Sequence, residues 1–63
     1  MNPLQQAYVT ALFVFLCTRQ DDPLFDVARD FLDGLAGKLD LVQVEQARRQ
    51  ALENYRAIYG DAA

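Results

Sequence analysis

From Met1 to Thr18 the chain carries no charged side chain, and from Ala11 to Cys17 every residue is apolar, counting the thiol as such. Those positions make about two helical turns that are apolar all round, and a helix of that kind has to be covered on every side. A chain of 63 residues has little to cover it with. Short chains bury a smaller share of their surface than long ones. The usual supports of a small core are disulfides, a metal, oligomerisation or very regular helix packing. A lone cysteine, Cys17, cannot form an intramolecular disulfide, and with no histidine present it cannot build a zinc site. Helix packing and association with another chain remain.

Each of three helices has a chemical start signal. Asn2-Pro3 opens the first, with Asn2 as cap, Pro3 at the first helical position and Gln5 as the capping-box partner. Asp22-Pro23 opens the second in the same way, and Asp21, Asp22 and Asp26 place negative charge at its positive end. Asp40 caps the third, Gln43 completes its box, and Leu39 and Val44 are spaced as a hydrophobic staple. Gly37 and Gly60 mark the ends of the second and third, and Asp61 to Ala63 are expected to fray. The spacing predicts helices over about residues 3–20, 23–36 and 41–59, and no segment alternates with period two.

The expected fold is therefore all-α. It is a small three-helix up-down bundle forming a single helical domain over residues 1–63, completed by dimerisation. The third helix is expected to pack across the first two. The predicted core takes Leu4, Tyr8, Leu12, Phe15 and Leu16 from the first helix. Leu24, Ala28, Phe31 and Leu35 come from the second, and Val44, Ala51, Leu52, Tyr55 and Ile58 from the third. Val9, Phe13, Val14 and Cys17 then point away from this stripe, with Phe25 or Leu32 at their edge. Leaving large side chains of this kind wet forgoes roughly 1.5–3 kcal/mol each. These six positions form the predicted protein interface. It serves a homodimer or a helical partner laid into the surface.

Absent residue types narrow the chemistry. The chain has no His, Ser or Trp, and no glycine-rich phosphate loop. No catalytic residue, cofactor or metal is expected. Cys17 sits late in an apolar run, where packing suits it better than reactivity. Asp26, Asp30 and Asp33 share a helix face, which reads as a solvated surface or as an acidic docking strip for a basic partner. Arg48, Arg49 and Arg56 could touch a nucleic acid. However, Glu45 and Glu53 stand at i,i+4 from Arg49, and the net charge is -3.

The function this composition points to is a non-catalytic protein–protein interaction module, a small adaptor, inhibitor or chaperone-like regulator. The alternatives are a membrane-interface helical protein and a nucleic-acid-binding regulator using the three arginines. Membrane and nucleic acid are the less expected partners, since no basic face and no membrane-length apolar segment is present. No Lys or Arg precedes Arg19, so a secretion signal is not expected, and a lone thiol fits the cytoplasm. Arg and Asp outnumber Lys and Glu, a bias of GC-rich bacterial coding sequences.

Overall fold

A computed structural model describes residues 1–60 of the chain. Three helices account for most of them: α1 over Pro3–Cys17, α2 over Leu24–Ala36 and α3 over Leu41–Tyr59. The expected fraying of Asp61 to Ala63 lies outside the described residues.

Both capping boxes form. The Gln5 N–H donates to Asn2 Oδ1 at 2.8 Å, and the Asn2 N–H returns to Gln5 Oε1 at 3.1 Å. Asp40 and Gln43 repeat this geometry at the start of α3, again at 2.8 and 3.1 Å. At α2 the helix begins at Leu24, so the cap position falls to Pro23, which makes no side-chain cap bond, rather than to the expected Asp22. The Asp22 carboxylate still accepts the Leu24 N–H at 2.9 Å, and its carbonyl accepts the Phe25 N–H. Orphan amides at all three helix starts are thus satisfied by the residues that the sequence marks for it.

α1 ends earlier than the spacing suggests. Thr18 is extended, and its hydroxyl donates to the Val14 carbonyl at 2.7 Å, taking an acceptor of the last turn. The chain then turns through Arg19 to Asp22, where the Asp22 N–H meets the Arg19 carbonyl at 3.0 Å. Gly60 closes α3 with φ 69°, the left-handed conformation that glycine adopts without steric cost. Gly37 ends α2 with an ordinary right-handed φ of −65°, so glycine is not required there. A Cβ at Gly37 would meet its neighbours at ordinary contact distance.

α1 is the centre of the fold. Phe15 of α1 meets Phe25 near the start of α2, with ring centroids 4.7 Å apart, so the two helices run antiparallel. Gln5 reaches Gln46, and Phe13 reaches Tyr55 and Tyr59, so α3 runs parallel to α1. The order is up, down, up. α3 packs along α1 and only marginally on α2, a departure from the expected packing across both. The molecule is flattened as a result, 32 by 26 by 16 Å.

The core lies beneath α1. Tyr8, Val9 and Ala11 meet Leu32 and Leu35 of α2 and Ala47 and Ala51 of α3. The two α3 alanines are the fully enclosed members, at 0% exposure, and among the described residues no large side chain is fully buried. Leu12, Phe15, Leu39 and Val44 pack around this cluster. Leu4, Leu24, Phe31, Leu52 and Ile58, placed in the core by spacing alone, are exposed.

Candidate functional site

The register of α1 decides what is left outside. Among the described residues, Gln5 is the one buried polar residue. Besides closing its own capping box, its Nε2 donates to the Gln43 carbonyl at 3.3 Å and to Gln46 Oε1 at 3.1 Å. A buried amide with every hydrogen bond made costs little, so Gln5 can face α3 and turn Val9 inward with it. Thr10, Val14 and Cys17 consequently face out.

Four of the six predicted interface residues are used inside the chain. Val9 and Leu32 are core residues. Phe13 packs against α3, 6.2 Å from the Tyr55 ring and 6.3 Å from Tyr59, and those two tyrosines stack at 4.9 Å. Phe25 stacks on Phe15. Val14 and Cys17 are exposed, Phe13 and Phe25 are half-buried, and Val9 and Phe13 still border the surface beside α3. The polar Gln5 misdirects a reading by hydrophobicity, because its burial is offset by hydrogen bonds that spacing cannot show.

One exposed apolar surface is instead built where α1 meets α2, and Leu41, Val42 and Ile58 of α3 are exposed as well. A groove of about 580 Å³ runs between Ala7, Thr10, Val14 and Thr18 on one side and Leu24, Val27 and Phe31 on the other. Val14, Leu24, Val27 and Phe31 are 52%, 63%, 62% and 58% exposed. α2 explains this. Its apolar positions fall in two adjacent rows, Phe25, Ala28, Leu32 and Leu35 and then Leu24, Val27 and Phe31. One neighbouring helix covers only the first row.

On the other flank of α1, a shallower groove is lined by Val9, Thr10, Phe13, Asn54, Ala57 and Ile58. A third opens between Met1, Gln6, Val9, Thr10 and Gln50. Thr10 borders all three grooves, so it marks the middle of one face. Among the described residues, no charged side chain lines any of them, although 24% of the chain is charged. Ala7, Thr10, Leu24, Val27 and Phe31 are the members that the sequence reading missed. The available signal was the width of the apolar arc on α2, too broad for a single neighbour.

The charged groups lie elsewhere. Asp26, Asp30 and Asp33 are exposed on α2, with Arg29 paired to Asp26 at 3.5 Å. Arg48, Arg49 and Arg56 are exposed on α3. Glu45 pairs with Arg48 at 3.4 Å, one residue away from the Arg49 partner expected for it. Such surface pairs contribute about 0–1 kcal/mol. At the end of the face, Cys17 Sγ and Tyr59 Oη share a hydrogen bond at 3.6 Å, which holds the phenol in its protonated form and raises its pKa above 10.0. Among the described residues, no three metal-ligating side chains cluster. Nor is any helix there long and apolar enough to cross a membrane.

Fold and surface together define an all-helical three-helix bundle with one uncharged face. Compared with known protein families, curated proteins and solved structures, the chain matches none.

Proposed function

We propose that this chain is a non-catalytic protein–protein interaction module, a small adaptor, inhibitor or chaperone-like regulator that works by burying its uncharged α1 face against another polypeptide. One observation carries the reading. Val14, Leu24, Val27 and Phe31 line a single groove, each more than half exposed, with no charge among the lining residues. Contiguous apolar surface of this sort marks interaction sites on soluble domains. The groove also has the form that receives an apolar helix face. The basic side chains support a nucleic-acid role less well, since Arg48 and Arg29 stand beside carboxylates.

Affinity capture from the native host, quantified by mass spectrometry, tests the assignment. Wild type and Arg48→Ala should retain the same bound proteins, including untagged copies of the chain itself. Phe31→Asp should lose them. Equal recovery on Phe31→Asp rejects the face as the binding surface.

A further inference from the structure

Resting on that reading, we infer that the occupant of the uncharged face is a second copy of the chain, with the two α1 helices crossing antiparallel at Thr10.

Three features favour a copy over an unrelated polypeptide. The first is charge. The chain carries a net -3, so self-association through most of its surface would bring like charges together. The face around Thr10 is the part where two copies can meet without that repulsion.

The second is shape. The face has a central ridge, α1, with a groove on either flank. Ridge and groove on one patch are what an isologous contact needs, because each copy must offer both. Along the ridge, Pro3, Ala7, Thr10, Val14 and Cys17 repeat at alternating steps of four and three, the spacing of a helix–helix seam. Reversing one helix about Thr10 sets the larger Val14 near the small Ala7 of the other copy. It also opposes the helix dipoles rather than aligning them.

The third is area. The broad side of the molecule spans 32 by 26 Å, an upper limit of about 800 Å² per copy that is reached only if the whole side is used. That is the share each partner gives to a standard stable interface. Burial there would also cover the second apolar row of α2, which the chain's own helices leave wet.

The geometry makes a specific cross-linking prediction. At 1.5 Å per residue, Cys17 lies about 10 Å along α1 from Thr10, so an antiparallel pair holds the two Cys17 thiols roughly 20 Å apart. That is beyond the span of a disulfide, while residues at the crossing point are within it.

The test uses the purified 63-residue chain. By light scattering, wild type should have twice the 7.1 kDa chain mass, and Val27→Asp should return to the single-chain value with its helicity kept. Under mild oxidant, wild type should stay uncross-linked, whereas Thr10→Cys in a Cys17→Ser background should cross-link at least tenfold faster than Arg48→Cys in the same background. Should Val27→Asp lose helicity, the Thr10 comparison decides alone, since Thr10 is exposed. A wild-type chain that is monomeric at every concentration overturns the inference, and so does rapid disulfide formation through Cys17. Host capture that Phe31→Asp abolishes, beside a monomeric purified chain, would overturn the self-pairing and leave the binding face standing.

Discussion

The Gln5 side chain donates to the Gln43 carbonyl at 3.3 Å, and each of these glutamines also closes the capping box of its own helix. The starts of α1 and α3 are therefore joined through a single amide. That joint sets the rotation of α1, and the rotation determines which residues form the core and which form the open face.

Gln5→Glu tests this joint. A glutamate can still accept the Asn2 N–H, so the capping box is kept. It has no amide hydrogens, however, and its carboxylate would face the Gln43 carbonyl. The expected cost is about 1–3 kcal/mol in urea denaturation followed by circular dichroism, as large as for Gln5→Ala. A neutral Gln5→Glu would show that the cross-helix bonds carry no weight.

Asp40→Ala should cost about 1 kcal/mol by removing the cap of α3. Asn2→Ala should cost a similar amount at α1. Both are read from thermal or urea unfolding, with Asp33→Ala as a surface control expected within about 0.5 kcal/mol.

Ala51, like Ala47, has no free surface where α3 meets the core. Ala51→Leu should destabilise by about 1–3 kcal/mol or more through overpacking. Leu41, 81% exposed, should tolerate alanine within about 0.5 kcal/mol. Equal effects at the two positions would contradict the placement of the core.

The Tyr59 phenol ionises above its ordinary 10.0, chiefly because its hydrogen bond with Cys17 favours the protonated phenol and then because charge on Cys17 opposes a second negative charge beside it. The folded-state pKa is raised, so the linked stability is present below pH 10.0 and declines as pH rises through the folded value. Tyrosinate absorbance should place the Tyr59 ionisation at higher pH in wild type than in Cys17→Ala. Identical curves would show that the contact is not formed in solution.

Much of the fold was legible because caps are local. Asn2 with Gln5, Asp22 with Pro23, and Asp40 with Gln43 each mark a helix start from neighbouring residues. The rotation of each helix was not. α1 is apolar nearly all round, so hydrophobicity gives it no preferred face, and the determinant is a hydrogen bond to residues about forty positions away. On α2 the error was one row: Leu24 and Phe31 share their spacing with Phe25 and Leu32, and only the position of α1 distinguishes them. Val9 and Phe13 were placed outside for the same reason, although α3 supplies the alanines and tyrosines that cover them.

The dependence of thermal stability on protein concentration tests the open face most directly. If the folded chain buries this face against its own copy, melting temperature rises with concentration by mass action. Wild type and Leu41→Asp should both show that rise, since Leu41 lies off the face, and Phe31→Asp should melt at one temperature throughout. A wild-type melting temperature that ignores concentration, or a Phe31→Asp slope equal to that of wild type, would contradict the account.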